Sequence, residues 1–158
     1  MLLSSRTLLL ILPLILAACG FTPVYGTGGA GTQLQNSITV SEPSTRNAFL
    51  LTQRVEERLG RAAEPTYLLN LSVRTDLAGL AVDREGSITR YNLLGFATYS
   101  LVEVATGRVI TSGSVDNFTG YSAADTTVVT LAAERDAQKR LMILLADQIV
   151  TRVLVADI

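Results

Sequence analysis

The spacing of apolar residues along the chain changes several times, and each spacing predicts a different element. In the first helical segment, apolar residues recur every three or four positions, as one face of an α-helix requires. They are Ala48, Leu51, Val55 and Leu59. Ser44 is the candidate N-cap of this helix and Gly60 the candidate C-cap, with an extension through residues 61–63 as the alternative. Glu57 and Arg61 form a favourable i,i+4 pair. A short β-prone run at Ile38–Val40 precedes the helix and predicts a first strand.

Three longer segments alternate between apolar and polar residues with period two, which predicts strands with one buried face. The first runs from Tyr67 to Thr75 and continues irregularly to Val82, and the second runs from Ile88 to Val104. We expect Gly95, inside the second segment, to mark a bulge or bend. The third runs from Arg108 to Tyr121, and Ala105-Thr106-Gly107 predicts the hairpin turn before it. One side of this strand is expected to carry Val109, Thr111, Val115, Asn117, Thr119 and Tyr121.

The last segment, from about Thr127 to Val155, returns to helical spacing. Its apolar stripe consists of Ala133, Ala137, Leu141, Leu144 or Leu145, Ile149 and Val153. Between Leu141 and Ala146 the helix is apolar on all sides, so we expect this turn to be deeply buried.

The order of these elements predicts the fold class. A short strand, a helix, three antiparallel strands and a long helix indicate an α+β two-layer sandwich, with a four-stranded, mostly antiparallel sheet and two helices on one face. The opposite face of that sheet is expected to be mainly polar, as a surface that meets a partner would be. Its residues are Asn70, Ser72, Arg74, Arg90, Asn92, Ser112, Ser114 and Asp116, with Leu94, Phe96 and Phe118 among them.

The first nineteen residues have the features of a bacterial lipoprotein signal. Arg6 supplies positive charge, and an apolar run of eleven residues from Leu8 to Ala18 follows. A bilayer-spanning helix needs about 20 apolar residues, so this run is short enough for a signal peptide. It ends in Leu16-Ala17-Ala18-Cys19, where the thiol can accept a diacylglycerol group. We therefore predict a signal peptide over residues 1–18, lipidation of Cys19, a flexible lipidated leader over residues 19–35 and a folded domain over residues 36–158.

Two features of the leader bear on localisation and on cofactors. Gly20, rather than Asp, follows the lipidated cysteine, which favours the outer membrane. Gly26, Gly28 and Gly31 match the spacing of a dinucleotide-binding fingerprint. That fingerprint requires a preceding strand and a following helix, and this one follows the lipidated cysteine, so we interpret the glycines as part of the linker.

Composition argues against several function classes, although it leaves a Ser–Lys or paired-carboxylate enzyme open. The chain has 158 residues, with 48% hydrophobic and 17% charged, and a net charge of −1. This near-neutral balance argues against a general nucleic-acid binder. The chain has no histidine and one cysteine, so the commonest general base is missing, as are a disulfide and a thiolate cluster for zinc. The sequence implies no catalytic residue, metal or cofactor.

The residues that follow the signal resemble a known family. The run Cys19-Gly20-Phe21-Thr22-Pro23-Val24-Tyr25-Gly26 is similar to the opening of the lipopolysaccharide-assembly lipoprotein LptE family. Arg90-Tyr91-Asn92 in a long strand, the turn at Thr106-Gly107 and Glu134-Arg135-Asp136-Ala137 in the last helix agree with it.

The resemblance implies an outer-membrane, periplasm-facing lipoprotein without catalytic activity. Members plug the lumen of a β-barrel partner, LptD, support its assembly and take part in placing lipopolysaccharide in the outer leaflet. A polar sheet face suits a polar barrel lumen. The phosphates of lipopolysaccharide favour Arg and Lys donors. Arg74, Arg84 and Arg90, expected at one end of the sheet, and Lys139 on the last helix are therefore the candidate lipopolysaccharide-binding residues.

Two alternatives remain open at this point. An auxiliary lipoprotein of an ABC-type lipid or solute transporter would share the lipid anchor and a small α+β domain. A lipid-anchored hydrolase would need a nucleophile and a base. Its available serines are Ser41, Ser44, Ser87, Ser112 and Ser114. None lies in a G-x-S-x-G motif and no histidine can act as the base, which argues against the hydrolase.

Overall fold

The computed structural model describes residues 30–82, 84–123 and 126–156. The elements are, in order, α1 (Ala30–Leu34), β1 (Ile38–Val40), α2 (Arg46–Leu59), β2 (Tyr67–Val82), β3 (Ile88–Glu103), β4 (Val109–Ser122) and α3 (Thr127–Leu154). The predicted signal peptide, Cys19 and all of the glycine-rich match except Gly31 lie outside the described residues.

The four strands form one sheet in the order β1-β2-β3-β4. β1 is parallel to β2, and the other two pairs are antiparallel. The parallel pair requires a crossover, and α2 supplies it. α2 packs against β1 and β2, α3 packs against β3 and β4, and the two helices pack against each other. The predicted α+β sandwich, with two helices on one face of a mostly antiparallel sheet, is confirmed.

The core lies between the helix layer and the inner face of the sheet. Inward-facing residues alternate along the strands and meet the apolar faces of the helices, as the two sequence periods predict. The largest fully buried side chains include Leu51, Val55, Leu69, Leu101, Val115, Leu141, Leu145 and Ile149.

The folded part begins earlier than the predicted boundary at residue 36. Ala30–Leu34 forms a short helix, and the Leu34 side chain is fully buried in the core. The backbone N–H of Asn36 donates to the carbonyl of Leu59 at 2.9 Å, which fixes the chain before β1 to the end of α2. The last residues of the predicted flexible leader are therefore part of the domain.

In α2 the predicted N-cap is wrong and the predicted C-cap is confirmed. Thr45, not Ser44, is the N-cap, since its hydroxyl accepts from the backbone N–H of Ala48 at 3.1 Å. Gly60 is the C-cap, with φ of 78°, and its N–H donates to the carbonyl of Glu56. This left-handed φ favours glycine and ends the helix at Leu59.

The predicted ion pair between Glu57 and Arg61 is wrong. Because the helix ends at Leu59, Arg61 no longer lies one turn beyond Glu57, and its guanidinium pairs instead with Glu56 at 2.6 Å. Glu57 pairs with Arg54 at 3.4 Å.

Gly95 is not a bulge, which corrects a second expectation. It pairs regularly with Thr75 on one side and Asn117 on the other. A Cβ atom at Gly95 would lie 2.9 Å from side-chain carbons of both Leu141 and Leu145. The glycine is therefore required by the close approach of α3 to the sheet.

A bulge is present instead in β4, next to the β3–β4 turn. Leu101 pairs with Thr111 and Val102 pairs with Val109, so Ile110 is an extra residue in β4. Ile110 packs against the core, whereas Val109, predicted to share a side with the buried Val115, is 56% exposed. A bulge reverses the alternation on one side of it, which the sequence period did not anticipate.

In α3 the predicted all-round burial is only partly correct. Leu141, Met142, Leu145 and Ala146 are buried, but Leu144 is 40% exposed. One side of the helix remains open because α3 lies over β3 and β4 and has α2 on a single flank.

Candidate functional site

The sheet face opposite the helices is the main candidate surface, and we call it the open face. Both long helices lie on the other side of the sheet, so among the described residues no helix covers it. Two rows of small polar side chains cross its three long strands. They are Asn70, Ser100 and Ser112 in one row and Ser72, Thr98 and Ser114 in the next. The polar character predicted for this face is thus present.

An aromatic and charged cluster follows these rows along the open face. The guanidinium carbon of Arg74 lies 4.3 Å from the ring centroid of Phe96, and Arg74 also pairs with Asp76 at 3.3 Å. Such cation–π contacts stabilise by about 0.5–1 kcal/mol at exposed sites. Asp116 lies opposite Phe96 on β4, and Phe118 is 59% exposed. A shallow depression of about 290 Å³ lies between this cluster and the polar rows.

Two of the predicted site residues, Arg84 and Arg90, lie at the same end of the sheet, and Arg74 lies further along β2. Arg90, near the start of β3, pairs with Ala81 and Ser122, and Arg84 lies in the adjacent β2–β3 turn. Arg74 lies seven residues before Ala81 on β2, which is about 23 Å at roughly 3.3 Å per residue. Arg84 and Arg90 are therefore together, and Arg74 is separate.

Lys139 lies on the opposite side of the molecule. It lines a groove of about 520 Å³ between α2 and α3, together with Arg46, Leu50 and Ile143. The structure therefore does not bring the four predicted cationic residues into one site, and Cys19 is outside the described residues.

An ion pair joins the two helices beside this groove. The Nε and Nη2 atoms of Arg54 donate to the two carboxylate oxygens of Asp147 at 3.1 and 3.2 Å. The hydrogen bond to Asp147 is the largest cause that raises the pKa of Arg54 above its ordinary value. This bidentate contact links α2 to α3 in addition to the direct packing of the two helices.

An apolar end of the molecule was missed by the sequence reasoning. Large apolar side chains are exposed at the β2–β3 hairpin and in the first turns of α3. They are Leu77, Leu80, Val82, Ile88, Val128, Val129 and Leu131. The available signal was the run Leu77–Val82, which contains no polar residue and so breaks the preceding alternation.

Metal centres, membrane-spanning helices and nucleophilic serines are the remaining features to place in the described residues. These residues contain no group of three or more Cys, Asp or Glu side chains arranged to hold a metal ion. In the same residues, no helix has the length and apolar character needed to cross a membrane. Ser41, one of the serines considered as a nucleophile, accepts a hydrogen bond from the backbone N–H of Leu71 at 3.2 Å and so has a structural contact.

Comparison with known families identifies the family of the chain. The family model for LptE, described as lipopolysaccharide-assembly, matches residues 35–153. The chain belongs to the LptE family. The resemblance inferred from the sequence is therefore confirmed over nearly the whole folded part. The LptE family is a non-catalytic family of lipopolysaccharide-assembly lipoproteins.

Solved structures agree on the fold. A candidate lipoprotein from Caulobacter crescentus is 23% identical with a TM-score of 0.68, and the match covers 82% of this chain and 96% of that one. Rare lipoprotein B from Shewanella oneidensis is 18% identical with a TM-score of 0.53, covering 75% and 92%. A minor lipoprotein from Acinetobacter baumannii is 16% identical with a TM-score of 0.56, covering 77% and 90%. No match is found among curated protein sequences.

Proposed function

We propose that this LptE-family protein is a lipid-anchored outer-membrane component that occupies the lumen of an LptD-type β-barrel and supports its assembly for lipopolysaccharide transport to the outer leaflet. Residues 1–18 are the signal peptide in this proposal, and Cys19 carries the lipid. The single observation that carries the proposal is the family match over residues 35–153.

The surface chemistry of the open face supports a position inside a barrel. The interior of an outer-membrane barrel is polar, so a protein that fills it must present polar groups without a large desolvation cost. The two rows of serine, threonine and asparagine on the open face meet this need, because short side chains lose little conformational entropy on contact.

The position of the domain relative to the lipid anchor also supports the proposal. Ten residues separate Cys19 from Ala30, the first residue described. Even fully extended, ten residues reach at most about 35 Å. With two or more acyl chains on Cys19 the anchor is stable, so the domain would remain within that distance of the membrane in which the barrel is embedded.

Affinity purification from detergent-solubilised membranes tests the partnership. We expect a large outer-membrane β-barrel to co-purify with the tagged protein in equimolar amount. Recovery of ABC-transporter subunits without a barrel would replace the proposal with the auxiliary-lipoprotein alternative, and recovery of the protein alone would refute both.

The anchor has its own test. Cys19→Ala should abolish metabolic labelling with a radioactive fatty acid and leave an uncleaved or soluble product, because no other cysteine is present. Thr22→Ala, three residues away, is the control and should be labelled like the wild type. Normal labelling of Cys19→Ala would refute the lipidation site.

A further inference from the structure

The two edges of the sheet differ in how their backbone groups are satisfied. At the β4 edge, side chains bond backbone groups that no neighbouring strand reaches. These contacts are Arg152 Nη1 to the Ser114 carbonyl at 2.9 Å, Arg140 Nη2 to the Gly120 carbonyl at 3.4 Å, and the Phe118 N–H to Asn117 Oδ1 at 2.8 Å. Side chains that occupy edge groups in this way hinder the addition of another strand.

The β2 edge is open over a short stretch. β1 pairs only with Tyr67–Leu69, and the Ser41 hydroxyl accepts from the N–H of Leu71. At the far end, the pairing with β3 becomes irregular after Gly79. In a β-strand, the N–H and C=O groups of one residue point to the same side, and successive residues alternate between the two sides. The Leu69 carbonyl and the Leu71 N–H both bond Ser41, on the β1 side of β2. The backbone groups of the odd-numbered residues of β2 therefore point toward this edge.

Val73, Thr75 and Leu77 therefore direct their backbone N–H and C=O groups outward between these two limits. Within the described part of the chain, no backbone or side-chain partner bonds these six groups. Three outward groups of β4 have a side-chain partner, whereas none of these six groups on β2 has one, so the β2 edge is the more available of the two for strand addition.

We propose that residues Val73–Leu77 at the β2 edge bind a short extended segment of another protein chain, which adds antiparallel to β2. Antiparallel pairing is slightly more stable per residue than parallel pairing, and main-chain hydrogen bonds supply the affinity in this mode of recognition. The proposal goes beyond the proposed function and does not depend on it.

The side chains that flank the edge define the chemistry of the partner. Arg74 and Asp76 project from the open face, with 69% and 57% of their side chains exposed. A segment centred opposite Thr75 would place one residue opposite each of them, so it should carry an acidic residue facing Arg74 and a basic one facing Asp76. On the helix side it meets Val73 and the 53% exposed Leu77, which favour apolar residues.

The neighbouring loop favours a short segment over a second copy of the chain. Glu42, Pro43 and Ser44 line the same small cleft as Leu71 and Val73, so this loop lies beside the Val73 end of the open stretch. If a second copy paired antiparallel about Thr75, its own Leu77 would lie opposite Val73 of the first copy. The rest of its β2 strand would then continue into the 42–44 loop of the first copy and collide with it. A segment of about five residues, some 16 Å long at ~3.3 Å per residue, fits the open stretch.

Two synthetic peptides test the proposal on the mature protein, purified from membranes in detergent and labelled with ¹⁵N. The first is the capped pentapeptide Val-Arg-Thr-Asp-Leu, a copy of residues 73–77. Read antiparallel about Thr75, it places its Asp opposite Arg74 and its Arg opposite Asp76. The second peptide exchanges these two charged residues. We expect the first to shift the amide signals of Val73, Thr75 and Leu77, and the second to bind about tenfold more weakly, as two unfavourable charge pairs would cause.

Variants separate the edge from other contacts. The double variant Arg74→Asp/Asp76→Arg keeps an opposite-charge pair on β2 and should prefer the second peptide. Thr75→Pro removes an outward N–H and should reduce binding of the first peptide, whereas Asp116→Pro, the same change at the β4 edge, should not. Equal affinity for both peptides, or signal shifts confined to β4, would overturn the proposal.

Discussion

Gly95 lies in the middle of β3 beneath α3, and the absence of a side chain there allows the helix to approach the sheet. A Cβ atom at this position would meet carbons of Leu141 and Leu145 at 2.9 Å, and both leucines are fully buried. We predict that Gly95→Ala lowers the free energy of unfolding by about 1–3 kcal/mol, the usual cost of overpacking a core. Chemical denaturation measures the change.

Gly120→Ala is the matched control for Gly95. It lies on β4, and its nearest neighbour would be the Asn92 side-chain oxygen at 3.3 Å, away from the helix layer. This variant should unfold within about 1 kcal/mol of the wild type. If Gly95→Ala were equally stable, the close packing of α3 on β3 would not hold in solution.

Two adjacent leucines in α3 have different surroundings that composition alone does not distinguish. Leu145 is fully buried, whereas Leu144 is 40% exposed. Leu145→Ala should lower the free energy of unfolding by about 2–5 kcal/mol, because it leaves a cavity, and Leu144→Ala by less than about 1 kcal/mol. Urea denaturation of the two variants tests this difference, and equal losses would contradict the orientation of α3.

At the scale of the elements, the N-cap of α2 can be tested by comparing Thr45 with its neighbour Ser44. The Thr45 hydroxyl accepts from the Ala48 N–H, so Thr45→Ala should cost about 1 kcal/mol of stability. Ser44→Ala should change stability by no more than about 0.5 kcal/mol. Thermal denaturation at matched concentration compares them, and a larger loss for Ser44→Ala would restore the cap expected from the sequence.

The elements themselves were predictable because their hydrophobic periods are long and regular. Fourteen residues of α2 and sixteen each of β2 and β3 provide several repeats of their pattern, so single deviations did not hide it. What the period could not show was a local insertion. Because Ile110 is an extra residue in β4, it packs against the core while Val109 is exposed, and only the strand register with β3 reveals this.

The candidate site was predictable in character but not in arrangement. The polar open face follows directly from the alternation in the strands. The grouping of Arg84 with Arg90, and the distance of both from Arg74, depend on which residues pair across the hairpin. The position of Lys139 on the other side depends on the rotation of α3 about its axis. Both are tertiary properties, set by packing and strand register.

In the molecule as a whole, positive charge and exposed apolar surface lie together at the β2–β3 hairpin end. Arg84 and Arg90 lie at the β2–β3 hairpin end, where Leu80, Val82 and Ile88 are also exposed. Guanidinium groups bind phosphates, and the neighbouring apolar side chains can cover part of an acyl chain. Lipopolysaccharide carries both groups, so this end is a better candidate for its binding than Arg74 or Lys139.

Charge reversal at these positions tests that assignment. Arg90→Glu should weaken the binding of lipopolysaccharide to the mature protein on the order of tenfold, because a charge-assisted contact is replaced by repulsion. Arg74→Glu, about 23 Å away at ~3.3 Å per residue, is the control and should have a smaller effect, since charges more than a Debye length apart are largely screened. Binding to immobilised lipopolysaccharide at physiological salt measures both. Equal losses for the two variants would indicate attraction by net charge, and an unchanged affinity of Arg90→Glu would remove the hairpin end as the binding site.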